Sequence, residues 1–204
     1  MRIYDISQTL QAGVPVWPGD TPYEEVRTWT IADGPVNVSR ITLSTHTGAH
    51  ADAPLHYDAD GLPIGEVALD VYLGPCVLID ARAFGPTIEA AHLPENLPPR
   101  VLFRTFDAFP HAHWPASWTV VSPGAIEALA DRGVRLIGID GPSLDPQESK
   151  TMEAHHAVRR RGLAILEGLV LDAPPPGEYE LIALPLKLGA ADAAPVRAVL
   201  RTLR

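Results

Sequence analysis

Along most of this chain apolar residues fall in short alternating or continuous runs, the pattern of strands rather than helices. Ile3 to Ser7 and Glu25 to Ile31 alternate with a period of two, and each predicts a strand. Val36 to Thr45 is also strand-like, but its apolar positions change phase between Val38 and Ile41, which predicts a bulge near Ser39-Arg40. Cys76 to Ala81, Arg100 to Phe106 and Leu136 to Asp140 predict further strands, the first and last of them buried. Leu163 to Val170 predicts an apolar strand interrupted by one charge, Glu167. Tyr179 to Lys187 and Val196 to Leu203 predict the last two.

Helical patterns are few. Ser122 is a natural N-cap, Pro123 suits the first helical position and Gly133 supplies a stop, with Ile126 and Leu129-Ala130 at helical spacing. A second pattern covers Glu153 to Arg161, and Thr87 is placed to cap a short helix over Ile88 to His92. Strands outnumber helices about three to one, which points to an α/β or α+β domain with a mixed sheet.

One stretch stands apart from these patterns, Ser44 to Tyr57 (S-T-H-T-G-A-H-A-D-A-P-L-H-Y). Its even positions hold His46, Gly48, His50, Asp52, Pro54 and His56, while the odd ones are small or apolar. A period of two puts the even set on one face of an extended chain. A helix would bring His46 and His50 together but carry Asp52 away, and Gly48 and Pro54 disfavour it. The reading is a strand through about Thr45 that runs out into an extended loop. Imidazole nitrogen and carboxylate oxygen are ligands that a borderline cation such as zinc accepts, so the stretch reads as a metal site.

Composition narrows the remaining choices. The 204 residues suffice for one domain over 1–204 with a sizeable core. The 25 acids against 16 bases give a net charge of −9 with no long basic tract, which argues against nucleic-acid binding. No apolar run approaches a membrane span, and Met1 leads into a strand-like segment without signal-peptide architecture, so a cytoplasmic location is the expectation. The single cysteine, Cys76, excludes a cysteine cage, so any metal must use His, Asp and Glu.

Two more candidates for the metal follow from that constraint. Glu167 lies in an apolar run, where a buried, unpaired carboxylate costs several kcal/mol, and a cation offsets that cost. His155 and His156 are adjacent on a helical pattern and point about 100° apart, so one of the pair is a ligand candidate. His92, His111 and His113 lie in proline-rich loops and read as surface residues. Asp140 reads as a turn former. Trp17, held between prolines in Val14 to Pro22, is either a core plug or a wall for an aromatic ligand. Nucleophile-elbow, phosphate-loop and dinucleotide motifs do not occur.

The run His46-Thr47-Gly48-Ala49-His50-Ala51-Asp52-Ala53-Pro54-Leu55-His56 resembles the HxGxHxDxPxH motif of the cyclase-like metal hydrolases. Trp17-Pro18-Gly19-Asp20, Ile165-Leu166-Glu167-Gly168, Ala183-Leu184-Pro185-Leu186-Lys187 and Pro195-Val196-Arg197-Ala198-Val199-Leu200 resemble one branch of it, the bacterial kynurenine formamidases. The resemblance spans nearly the whole chain. It implies a swivelling β/β/α-type fold with a mixed sheet core and a few helices, a homodimer and two zinc ions per subunit, with manganese or cobalt as substitutes. It implies His46, His50 and Asp52 on one metal, Asp52 and Glu167 bridging to the second, and His155 completing that one. His56 is then the acid/base and Trp17 faces the substrate ring. Gly141 departs from the branch, where Thr is expected. The implied reaction is hydrolysis of N-formyl-L-kynurenine to L-kynurenine and formate; the alternative is another amide or lactone, such as isatin.

Overall fold

The computed structural model describes residues 1–203. Strands β1 (Ile3–Asp5), β2 (Glu24–Trp29), β3 (Val38–Thr42), β4 (His50–Asp52), β5 (Leu73–Asp80), β6 (Thr87–Ile88), β7 (Arg100–Arg104) and β8 (Val120–Val121) precede helix α1 (Pro123–Asp131). There follow β9 (Leu136–Ile139), helix α2 (Glu153–Arg161), β10 (Ala164–Glu167), β11 (Gly177–Ile182), β12 (Ala193–Pro195) and β13 (Val199–Thr202). Nine of these strands form one mixed sheet in the order β1-β13-β11-β5-β7-β9-β10-β4-β12. The centre, β5-β7-β9-β10, is parallel, and the strands on either side join it antiparallel. A mixed sheet with two α-helices is the α/β class expected from the sequence.

The period of two in the central strands sorts their side chains between two cores. Leu78, Leu102, Leu136 and Leu166 pack on one face with Tyr4, Ile6, Tyr72 and Leu200. Val101, Phe103, Ile137, Ile139 and Ile165 pack on the other, beneath Ile126 and Leu129 of α1 and Ala154, Ala157 and Val158 of α2. Complete burial of each such aliphatic side chain contributes about 1.5–3 kcal/mol. Helix α1 has the predicted caps: the Ser122 hydroxyl accepts from the Ala125 amide at 3.1 Å, and Gly133 leaves with φ +84°.

Several boundaries differ from the sequence reading. The proposed helix over 88–92 is strand β6, paired with β8, followed by one 3-10 turn (Ala90–His92) that Glu89 caps instead of Thr87. Five residues are too few to pay helix nucleation, whereas Ile88 is fully buried once paired. The irregularity in the β2–β3 hairpin falls between Arg27 and Trp29, not at Ser39-Arg40. Every residue of both strands is exposed, so no core selects a face and the apolar phase change in β3 needs no bulge. Strand β3 ends at Thr42, short of Thr45, and β11 ends at Ile182, short of Lys187. Strand β10 stops at Glu167 because Gly168 turns with φ +65°; a Cβ there would lie 2.6 Å from the Gly48 carbonyl oxygen.

Candidate metal centre

The site begins with strand β4, which the sequence reading took for loop. Buried between β10 and β12, β4 sets Ala51 against Leu166 and Ala194. Ala49, Ala51 and Ala53 supply the apolar phase and enter the first core. His50 and Asp52 therefore point to the opposite face, beneath α2. His50 lies directly opposite Glu167 in the antiparallel register, and partners in register project to the same side. The three groups are 3%, 2% and 3% exposed, so they meet out of water.

Helix α2 brings in the next ligand candidate. His155 is buried and His156 is exposed, so His155 is the one of the pair that faces the cluster. His155 Nε2 lies 3.4 Å from Asp52 Oδ2 and 3.7 Å from Glu167 Oε1. Asp145 fixes its orientation: the carboxylate accepts from the Ala154 and His155 amides at 3.0 and 3.1 Å and lies 2.6 Å from His155 Nδ1. One acid thereby caps the helix and aims the imidazole. His46 sits in the turn before β4 rather than on an extended face, with Nδ1 3.1 Å from Asp52 Oδ1. Gly48, at φ +70°, lets the chain pass from that turn into the strand.

The donor set fits a cation. Asp52 Oδ1, Asp52 Oδ2 and His50 Nε2 are buried without a hydrogen-bond partner, a costly state that a metal ion would relieve. Two sets of ligand atoms lie within 4.8 Å of one another, His46-Asp52-His56 and His50-Asp52-Glu167, and Asp52 belongs to both. Each ligand candidate imidazole has its other nitrogen held from outside. His46 Nε2 meets Asp192 at 3.0 Å, His50 Nδ1 meets the Gly48 carbonyl at 2.8 Å, and His155 Nδ1 meets Asp145. Such outer partners fix the tautomer and ring direction of metal-binding histidines.

The electrostatics fit the same picture. Burial works against a charged His46 and a charged His155, yet the carboxylates around them raise their pKa values to about 9 and about 10. Burial likewise opposes the ionised form of Asp52, but the His155, His46 and His50 imidazoles beside it hold its pKa well below the usual range. The carboxylates thus favour positive charge at this cluster, the property that also favours a bound cation.

Beside the cluster opens a cavity of about 320 Å³. Trp17, Phe106, His113, Trp114 and Met152 line it together with His46, His50, His56, His155 and Glu167. Trp17 is therefore a wall residue, 37% exposed, and not a core plug. Trp114 lies 5.4 Å from Trp17, and Trp118 packs behind both at 6.0 Å. At Gly141, the position of the departure, a Cβ would lie 3.2 Å from Trp118. His56, in a 3-10 turn (Pro54–His56), has its ring 4.3 Å from that of His46 and its Nδ1 3.3 Å from Asp192 Oδ2. Of the three histidines read as surface residues, His113 lines the cavity; all three are at least partly exposed.

The Cyclase family model, described as "Putative cyclase", matches residues 4–146. The chain belongs to the Cyclase family. A "potential metal-dependent hydrolase with cyclase activity" has the same fold, at 32% identity and TM-score 0.84 over 98% of this chain and 96% of that one. So does a "predicted metal-dependent hydrolase" from Bacillus stearothermophilus, at 32% identity and TM-score 0.83 over 98% and 97% of the two chains. Isatin hydrolase A from Labrenzia aggregata shares the fold at 24% identity and TM-score 0.79, over 98% of this chain and 93% of that one. With these likenesses and the His/Asp/Glu cluster, the Cyclase-family chain is a metal-dependent hydrolase.

Sequence reasoning about this Cyclase-family chain gave no role to Asp145, Asp192, Trp114 or Trp118. Asp145 had a signal, a carboxylate just upstream of a helix whose first turn needs acceptors. Asp192 had none, because it precedes the short edge strand β12 and meets His46 and His56 only after the sheet forms.

Proposed function

We propose that this chain is a cytoplasmic zinc-dependent arylformamidase, converting N-formyl-L-kynurenine and water to L-kynurenine and formate. The observation that carries the reading is the shared Asp52: His46 and His50 approach its Oδ1 at 3.1 and 3.4 Å, His155 approaches its Oδ2 at 3.4 Å, and an aromatic-walled cavity opens directly onto them. His46, His50 and Asp52 would hold one cation, and Asp52, Glu167 and His155 the second. Zinc suits the mixed imidazole and carboxylate set, and manganese or cobalt would also be accepted. Bound cations would supply Lewis acidity at the formyl carbonyl and a water nucleophile at neutral pH.

The remaining tasks fall to the protein. Trp17 and Trp114 hold the aryl ring against the cavity wall and orient the formamide toward the cluster. The wall also keeps bulk water from the reacting bond. His56 projects into the cavity with Nδ1 on Asp192, which leaves Nε2 to take a proton as water adds and to return it to the departing aniline nitrogen. The C–N bond breaks, the water oxygen ends in formate and the aniline leaves neutral.

A homodimer is part of the proposal. The β2–β3 hairpin projects with all its residues exposed, among them Val26, Trp29, Val38 and Ile41, and an isolated two-stranded hairpin is marginal in water. A second copy would cover it. The deciding experiment is a substrate panel on metal-analysed protein: formylkynurenine, isatin and a small aryl lactone. The expected kcat/KM for formylkynurenine leads the others by about tenfold or more. Preference for isatin would instead assign the ring-opening reaction.

A further inference from the structure

The cavity mouth carries a charge that the hydrolysis itself does not use. Three carboxylates line the cavity, and two are committed elsewhere. Glu167 belongs to the ligand cluster and accepts from the Leu144 amide at 2.8 Å. Asp140 is buried and takes the Thr105 and Phe106 amides at 2.8 to 3.0 Å, so it anchors the 104–106 segment. Asp20 is the third. Its Oδ1 takes the Thr21 amide at 2.6 Å, and its Oδ2 has no hydrogen-bond partner among the described residues.

Asp20 is also held beside an aromatic pair. The Asp20 amide donates to the Trp17 carbonyl at 2.9 Å, closing a turn through Gly19 at φ +91°. Trp17 meets Trp114 at 5.4 Å with planes 72° apart, and Trp114 Nε1 donates to Gln147 Oε1 at 2.8 Å, which fixes the second ring. A free carboxylate oxygen beside two fixed indoles that hold the aryl ring is the environment that receives an ammonium group on the substrate's side chain, by charge and a charge-assisted hydrogen bond. No lysine or arginine is among the described residues that line the cavity, so no ammonium or guanidinium of the described chain competes there for Asp20.

We infer that Asp20, Trp17 and Trp114 form a subsite for a primary ammonium group on the substrate's side chain, and that this subsite selects amine-bearing aryl amides. The inference rests on the arylformamidase reading for its reaction and adds the charge preference. In formylkynurenine the α-ammonium sits on Asp20 while the α-carboxylate stays toward solvent. The class therefore extends to decarboxylated amines and excludes anionic aryl formamides.

Two measurements test it on the metal-loaded full chain. The first compares kcat/KM for N-formylkynuramine, which keeps the amine and lacks the carboxylate, with N-formyl-2′-aminopropiophenone, the ring-substituted aryl formamide that lacks both. The expected ratio is about tenfold or more, falling to within about twofold in Asp20→Asn and restored in Asp20→Glu. The second titrates kynuramine and 4-(2-aminophenyl)-4-oxobutanoate by intrinsic tryptophan fluorescence, with the amine expected to bind more tightly. A ratio near one in the parent chain, a ratio unchanged by Asp20→Asn, or tighter binding of the acid overturns the subsite. Failure to hydrolyse any formamide would overturn the arylformamidase reading instead, and the binding arm would still decide the subsite.

Discussion

The metal centre and the cavity wall adjoin, yet they are built in opposite ways. His50, Asp52 and Glu167 sit on paired strands in the middle of the sheet, each no more than 3% exposed. The wall comes from segments outside the nine-stranded sheet, around Trp17, Phe106, His113 and Trp114, held by prolines and edge-to-face indoles. A strand position has its direction set by register, so the chemical groups are placed with the rigidity of the core. A loop position is set by its own turns, which leaves the wall free to vary in shape while the centre stays intact. Chemistry and selectivity should therefore separate under mutation.

The largest effect is expected at the shared carboxylate. Asp52→Asn should lose both metal and activity to background, because one oxygen charge serves both donor sets; elemental analysis and a formamide assay check it together. His56→Asn should retain metal and fold yet lose about 10²–10⁴-fold in kcat, the usual contribution of a positioned acid–base group. Loss of metal in that variant, with activity tracking what remains, would make His56 a ligand, which its place in the His46-Asp52-His56 set allows.

Acidity should act on the centre alone. His46 and His155 are raised to about 9 and about 10 in the metal-free chain, and only the neutral imidazole ligates. Below those values each ligation must displace a proton, so metal affinity should fall by about tenfold per pH unit for each displaced proton as pH drops. Competition with a chelator between pH 6 and 8.5 reads this directly. An affinity that levels off above pH 6.5 would show histidines with ordinary pKa values. The smallest effect is expected at the wall. Trp17→Ala should raise KM for formylkynurenine by about tenfold while leaving metal content and the KM for formamide nearly unchanged. Equal losses on both substrates would deny the separation.

The same contrast explains what the sequence revealed. The ligand face was legible because His50 and Asp52 keep a strand's period, and Glu167 because a charge in an apolar run needs a partner. His46 and His56 were legible only as members of the cluster, since both leave the extended face for turns. From the residues alone Trp17 was half legible, as a rigid aromatic left between core and cavity. Asp192, Trp114 and Trp118 were not, because their roles arise from contacts across many residues that no local pattern encodes. The β2–β3 hairpin was legible as two strands, but the apolar phase change in the second suggested a bulge that a fully exposed strand does not need.

The central claim is that two cations share Asp52 and that both are needed for amide hydrolysis. Chelator-stripped protein titrated with zinc, with bound metal and formylkynurenine turnover followed in the same samples, tests it most directly. The account predicts that binding and turnover both saturate near about two equivalents per chain, and that turnover stays low at about one. Saturation of both at one equivalent, or full turnover before metal is added, would contradict it.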